Sequence, residues 1–289
     1  TGEMPESGTE FDAIIVGGGP GGAAAAGYLA KSGARVLMIE KEVWPRDKIC
    51  GDAVGGKSLS HVSELGVKAD IESTPHFRVT GIVFSSPKGN TVRVPLPEED
   101  VEKMEAGYAL PRAQFDSLLF NRCQALVREA GGSIIQGGDV RTVLFDDGAG
   151  GQDPGEGSGD ARHAAGIVVR IGGRDGEERT FYSRELVGAA GYRCPVARSV
   201  VESSYNEVMM DRDHYCGGYR EYWRNVKGCE ANVGDIEIHF VDSVIPGYFW
   251  LFPVSENVVN VGIGMVMGLL DKQKKKLKAL QADVIANHP

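Results

Sequence analysis

Residues Phe11–Glu40 read FDAIIVGGGPGGAAAAGYLAKSGARVLMIE, and this stretch decides the fold. Phe11–Val16 is a short apolar run, suited to a strand buried on both faces of a parallel sheet. Gly17-x-Gly19-x-x-Gly22, with Pro20 and Gly21 inside it, follows at once and opens an Ala-rich segment that predicts a helix to about Ser32. A second apolar run, Arg35–Ile39, ends on Glu40, with Lys41 next to it. In a strand–helix–strand unit such glycines permit a tight turn and close backbone approach to a pyrophosphate. The helix N-terminus then offers free N–H groups and a positive dipole end to that anion. A carboxylate at the tip of the second strand accepts hydrogen bonds from a ribose hydroxyl. A bare GxGxxG also occurs in glycine-rich turns that bind nothing. Here strand, helix, second strand and terminal acid fall in register, which predicts a dinucleotide site.

Outward from that unit, 289 residues with 42% hydrophobic content suffice for one large domain or two smaller ones with real cores. A net charge of −9 argues against a general nucleic-acid binder, which needs clustered Lys and Arg. Cysteines 50, 123, 194, 216 and 229 are odd in number and widely spaced, with no CxxC pair or Cys/His cluster. Neither a disulfide framework nor a metal site is indicated, and reduced, cytoplasmic thiols are the simplest expectation. No apolar run approaches the roughly 18 residues of a spanning helix, and no signal peptide precedes the first strand. The expectation is a soluble protein, peripheral to a membrane at most. His214, His239 and the other histidines lack metal spacing.

Residues 1–10 are polar and read as a flexible tail. Ala53–Leu65 reads as a helix closed by Gly66, His76–Pro95 as a β-hairpin about a Pro87–Asn90 turn, and 97–103 as an acidic exposed segment. Ala113–Ala130 is an amphipathic helix stopped by Gly131-Gly132, followed by strands at 133–136 and 140–145. Residues 146–165, DDGAGGQDPGEGSGDARHAA, predict a mobile hairpin excursion. Strands resume at 166–171, 179–182 and 185–190; 209–267 is mostly β, and 268–288 reads as one helix. The fold class is therefore α/β: a Rossmann-type dinucleotide-binding domain with an inserted, mostly antiparallel β-sheet substrate domain. The nucleotide-binding part is expected from 11–75 with 105–200, the β-rich layer from 76–104 with 201–268, and a closing helix from 269–289. Hairpins inserted between such elements are a usual way of building a substrate chamber.

Four stretches resemble the FAD-dependent flavoproteins that include aromatic hydroxylases, flavin halogenases and geranylgeranyl reductases. They are the GGGPGG turn with Glu40; Arg46-x-Lys48-x-Cys50-Gly51, similar to the RxKxCG loop of the geranylgeranyl reductase branch; Arg112-Ala-Gln-Phe-Asp116, similar to an R-x-x-F-D segment near the flavin; and Tyr248-Phe-Trp250-Leu-Phe252-Pro253, similar to YxWxFP, followed by Asn260-Val-Gly262-Ile-Gly264. Halogenases of the group carry WxWxIP instead, so the fourth stretch points to the prenyl reductases. Two departures stand out. The strand ending Gly188-Ala189-Ala190-Gly191 has Ala190 where the family has an acid, and Cys194 sits where a Ser is expected. The family's Gly-Asp segment that grips the flavin follows the last helix, and the sequence ends at Pro289 before one, so a fragment is expected.

The resemblance implies FAD as cofactor, with NAD(P)H or a ferredoxin-like protein as electron donor, and the sequence does not choose between them. It implies cofactor contacts from Gly17, Gly19, Pro20, Gly21, Gly22, Glu40, Lys41, Arg46, Cys50, Gly51 and Arg112, and from the Val140 backbone at the adenine. Arg46 and Lys48 beside Cys50, ahead of a helix expected near Ala53, are the features that lower a thiol pKa; a small buried thiol is the alternative. Tyr248 and Trp250 alternate along one strand and project to one face. With Phe252 and Pro253 they read either as a wall for an isoprenoid chain or as plain sheet core. Gly262 and Gly264 would leave a strand face bare for a planar ring. Cys50, Tyr248 and Trp250 are the catalytic candidates, with Tyr248, Cys50 or water delivering a proton. Lys272–Lys278 (KQKKKLK) reads first as a solvated helix face and second as a contact for anionic headgroups. The expected function is reduction of isoprenoid C=C bonds in a prenyl lipid or prenyl diphosphate. The alternatives are an aromatic-ring monooxygenase and an inert nucleotide-binding fragment.

Overall fold

A computed structural model describes residues 4–103, 105–146 and 163–287. The chain divides into two compact units, residues 1–46 with 116–209 and residues 47–115 with 210–289.

The first unit is built on β1 (Glu10–Val16), α1 (Pro20–Lys31) and β2 (Val36–Glu40). Every residue of β2 is buried, as expected of a strand covered on both faces. In α1, Ala23, Ala26 and Ala30 share the buried face, so small side chains let the helix lie close on the sheet. Strands β1 and β2 pair in parallel, in register from Ala13↔Val36 to Val16↔Ile39. The second unit contributes the next elements in chain order: β3 (Ala53–Gly55), α2 (Ser58–Glu64), α3 (Lys68–Ser73), β4 (Phe77–Ser85), β5 (Thr91–Pro95), α4 (Glu98–Glu102) and β6 (Gly107–Ala109). Helix α5 (Arg112–Glu129) spans the boundary, and the first unit resumes with β7 (Ser133–Gln136), β8 (Gly138–Asp146), β9 (His163–Ile171), β10 (Glu177–Gly188) and α6 (Pro195–Ser204). Its six-stranded sheet runs β7-β2-β1-β10-β9-β8. The first four strands are parallel, while β9 and β8 return as an antiparallel flap. Phe11, Ile14, Leu37, Ile39, Ile167 and Phe181 are the centre of one core face; Ile15, Val36, Met38 and Phe120 are the centre of the other.

The second unit is completed by β11 (Cys216–Arg224), β12 (Val233–His239), β13 (Tyr248–Ser255), β14 (Val258–Val266), α7 (Met267–Lys272) and α8 (Leu277–Asn287). Its sheet runs β11-β14-β13-β12-β4-β6-β3, with β5 paired to β4. All pairs are antiparallel except β12 with β4. Helix α8 packs Leu280 and Val284 on Val261, Ile263 and Met265.

Several local expectations need correction. Ala53–Gly55 is strand, not helix; it pairs with Gly107–Ala109, and the helix starts only at Ser58 after Gly56 takes φ 57°. By compactness alone, residues 47–75 and 105–115 group with the second unit, whose sheet takes up β3 and β6. The expected strands 179–182 and 185–190 are one strand, β10, which pairs antiparallel with β9 from Glu177 to Tyr182 and parallel with β1 from Tyr182 to Gly188. The single closing helix is two, broken where Lys274 takes φ 53°. The excursion expected at 146–165 falls mainly on 147–162, outside the described residues, as do residues 1–3 of the tail and 288–289 of the last helix.

Two neighbouring glycines make a paired test of the β1–α1 turn. A Cβ at Gly22 would overlap the Gly17 carbonyl oxygen, whereas one at Gly21 meets nothing within 4 Å. Gly22→Ala is expected to cost about 2 kcal/mol or more through forced backbone displacement. Gly21→Ala should be neutral or stabilising by up to about 1 kcal/mol through helix propensity. Urea unfolding of the two variants checks the contrast.

Candidate cofactor cradle and catalytic cluster

The cradle lies in the first unit at the C-terminal ends of β1 and β2, where ligands of open parallel sheets collect. Gly17 takes φ 110°, and a Cβ there would come within 2.5 Å of the Ala189 carbonyl oxygen, so only glycine fits. Gly19 is the N-cap of α1, Pro20 fills its first turn, and no side chain caps the helix. The amides of Gly21 and Gly22 thus have no side chain capping them at the positive end of the helix dipole.

Glu40 closes the other side. It is buried (6% exposed), and its Oε2 accepts the Gly18 N–H at 2.6 Å. Its Oε1 accepts the Glu42 N–H at 3.0 Å. Two backbone donors fix the carboxylate over the glycine turn and leave lone pairs for a ribose diol. Arg46 reaches the same place, with Nη2 3.6 Å from Glu40 Oε2 and within 3.1 Å of where a Gly19 Cβ would lie. Its guanidinium lies 4.6 Å from the Trp44 ring centre, and Trp44 stacks on Phe120 at 5.0 Å. The Trp44 N–H is accepted by Gln136 Oε1 at 2.8 Å, which pins the loop after β2 to the end of β7. Arg46 Nε and Trp44 Nε1 are buried donors without partners among the described residues. Free helix amides, a fixed buried carboxylate and two unspent donors fit the diphosphate and ribose of FAD. Lys41 pairs instead with Asp139 at 3.7 Å. Val140 packs against the core cluster of β1 and β2, and Cys194 is buried at the start of α6.

The catalytic candidates gather in the second unit. Tyr248, Trp250 and Phe252 share one face of β13, with ring centres 5.8 and 6.4 Å apart. Trp250 and Phe252 are buried and Tyr248 is 42% exposed. Trp250 faces Gly262 across the β13–β14 pair, and a Cβ at Gly262 would overlap the indole. At Gly262 the backbone expected to lie bare is covered by the chain's own Trp250, while a Cβ at Gly264 would make only ordinary contact, 3.7 Å from that indole. Phe252 lies on Gly51, where a Cβ would come within 2.6 Å of the ring, and Pro253 is buried beyond it. Cys50 is half-buried in a loop that leads into β3; the helix start expected to activate its thiol is absent there.

Sequence reasoning missed the polar cluster joining these parts. Asn260, fully buried on β14, accepts the Trp250 indole N–H at 2.9 Å. Its amide donates to the Cys50 carbonyl and to Asp52 Oδ2, both at 2.7 Å. Tyr222 OH donates to the same Asp52 oxygen at 2.6 Å. Arg220 donates to both oxygens of Asp47, at 2.7 and 2.5 Å, and lies over the Tyr222 ring at 4.2 Å. Asp52 is wholly buried, and desolvation raises its pKa despite Tyr222, Asn260, Arg220 and Arg112, each of which favours the ionised form. Asp52 followed directly on the Cys50-Gly51 pair and Asn260 opened the Gly262/Gly264 stretch, so their positions were signalled but not their pairing.

Residues 10–149 match a family model described as an FAD binding domain, and residues 215–288 one described as a geranylgeranyl reductase catalytic domain. A menaquinone reductase from Mycobacterium tuberculosis is 27% identical over 88% of this chain and 54% of its own length. A digeranylgeranylglycerophospholipid reductase from Sulfolobus acidocaldarius is 30% identical over 90% of this chain and 51% of its own. The chain thus spans about half the length of these curated relatives. The solved structure of a myxobacterial chondrochloren halogenase, a variant of the FAD-dependent halogenases, has the same fold, with TM-score 0.72 at 23% identity over 98% of this chain and 58% of that one. With a match to an FAD binding domain leading into a match to a geranylgeranyl reductase catalytic domain, the chain is similar to the FAD-dependent geranylgeranyl reductases.

Proposed function

We propose that this protein saturates C=C bonds of geranylgeranyl or related isoprenoid groups, carried on a prenyl lipid or a prenyl diphosphate. The observation that carries this reading is the fastening of two motif stretches to each other. Asn260 joins the Cys50 carbonyl, the Asp52 carboxylate and the Trp250 indole, and Phe252 seats Gly51. Such a cluster gives a reacting group fixed positions rather than a mobile loop. Similarity to reductases named for a menaquinone and a digeranylgeranylglycerophospholipid supports an isoprenoid-lipid substrate class.

Bound FAD, once reduced, supplies hydride to one carbon of the double bond. The amides of Gly21 and Gly22, with Arg46, hold the diphosphate, and Glu40 holds the ribose. An isoprenoid bond offers no polar handle, so it is oriented by shape; Tyr248 is the exposed member of the aromatic row and the one free to meet it. Cys50 and Tyr248 line the reacting region, and a lipid substrate brings the protein to a membrane surface as a peripheral visitor. No helix among the described residues is long and apolar enough to cross a membrane. Of the Lys272–Lys278 run, Lys272 pairs with Asp213 at 3.4 Å, in keeping with a solvated segment.

Glu40→Gln keeps the shape of the side chain but loses its charge and one acceptor. Hydrogen bonds to charged groups contribute about 1.5–3 kcal/mol, so FAD affinity is expected to fall roughly ten- to a hundredfold, read by flavin fluorescence quenching. The activity itself is tested by incubating the protein with chemically reduced FAD and geranylgeranyl diphosphate without oxygen. A product gaining two hydrogens per bond in mass spectrometry is expected. Unchanged substrate, or oxygen-dependent hydroxylation of an aromatic compound, would refute the reading.

A further inference from the structure

Where β4, β5 and β12 meet, the sheet of the second unit has one ionic face and one hydrocarbon face. On the ionic face Arg93 donates to both oxygens of Asp235, at 2.6 and 2.9 Å, and the two ring nitrogens of His239 lie 2.9 Å from Ser85 Oγ and Glu237 Oε2. The other face follows from the register. Val92 of β5 stands opposite Phe84 of β4, Phe84 opposite Ile238 of β12, and Ile238 opposite Trp250 of β13. Beside that row runs a second, with Val94 opposite Ile82 and Ile82 opposite Ile236. Directly opposed residues share a face, so a hydrocarbon strip leads from the motif tryptophan to the outer strand of the hairpin. It is covered at one end and open at the other. Trp250 and Ile236 are buried, Ile82, Phe84 and Ile238 are half-buried, and Val92 and Val94 are 64% and 46% exposed. In an antiparallel sheet with one wetted face, polar residues face water and apolar ones face a partner. Here the ion pair of Arg93 takes the wetted side, so the exposed valines mark the side built to be covered.

We infer that this strip holds the far end of the substrate's isoprenoid chain, and that Val92, Val94 and Phe84 thereby discriminate chain length. The inference rests on the proposed reductase reading and deepens it. An isoprenoid tail is hydrocarbon over its whole length, so apolar area is the only handle by which it is recognised. The strip is continuous with the aromatic row of β13, of which Tyr248 is the exposed member. Neighbouring strands lie about 4.8 Å apart, so the three steps from β13 through β12 and β4 to β5 span roughly 14 Å. A geranylgeranyl chain with its head-end double bond at the β13 row is long enough to reach the outer valines, and a geranyl chain is not. The terminal isoprene unit then lies on Val92 and Val94, and the one before it on Phe84 and Ile238.

Chain-length dependence of binding tests the strip, and turnover tests the reading beneath it. Calorimetry compares geranylgeranyl diphosphate with geranyl diphosphate on the FAD-loaded, oxidised protein. The unsubstituted protein should bind the longer chain more tightly. Val92→Asp should weaken that chain about tenfold, by setting a carboxylate against hydrocarbon, and leave geranyl diphosphate as it was. Val92→Thr keeps the shape and strand preference of valine, so it serves even if Val92→Asp does not fold, and should weaken the longer chain about threefold. In anaerobic turnover with the dithionite-reduced protein the same loss should fall on KM for geranylgeranyl diphosphate rather than on kcat. Equal weakening of both chains, or of neither, overturns the strip and leaves the reductase reading standing. A Val92→Asp variant that spares both affinities and instead splits an oligomer of the unsubstituted protein assigns the face to a second copy of the chain and overturns the strip likewise. No saturation of either substrate by the unsubstituted protein overturns the reductase reading and this inference with it.

Discussion

A carboxylate cannot be buried without donors, and here the donors are main-chain amides. Glu40 is held by the N–H groups of Gly18 and Glu42, so the tip of β2 and the glycine turn after β1 are fixed against each other. That bond spans the α1 crossover and is possible only because β1 and β2 are neighbours in parallel register. It leaves the first amides of α1 without a side-chain cap, to be met by an anion or by water. The cradle is the consequence of satisfying one buried acid.

The second unit repeats the logic with different chemistry. Gly262 and Gly51 have no side chains, and each gap is taken by an aromatic ring from β13, Trp250 and Phe252 respectively. Large rings over bare backbone give a rigid, dry surface, and the indole N–H then needs an acceptor inside it. Asn260 provides it and spends its own amide on Cys50 and Asp52. Burying Asn260 costs desolvation that three hydrogen bonds offset. The same bonds hold the loop that carries Cys50.

The sequence showed the cradle because its signals are local. Strand, glycine turn, alanine helix and terminal acid lie within Phe11–Glu40, and each is a short-range consequence of residue type. Ala53–Gly55 was illegible for the opposite reason. The stretch has no strand periodicity of its own and becomes β only by pairing with Gly107–Ala109, distant in sequence. The pairing of Trp250 with Gly262 was equally hidden: both residues were noticed, yet cross-strand register decides that one covers the other. Lys41, just beyond the end of β2, is exposed and pairs with Asp139, a partner its place beside Glu40 did not announce. Asp52 stood next to a recognised motif and went unread because a buried acid is recognisable only from its burial.

The central claim is that the glycine turn and Glu40 bind the adenosine-diphosphate half of the flavin cofactor. Competition binding tests it directly, with FAD displaced by ADP and compared with riboflavin, which lacks that half. The account predicts that ADP competes with FAD and that riboflavin binds far more weakly than FAD. Riboflavin binding as tightly as FAD, with no competition from ADP, would contradict it.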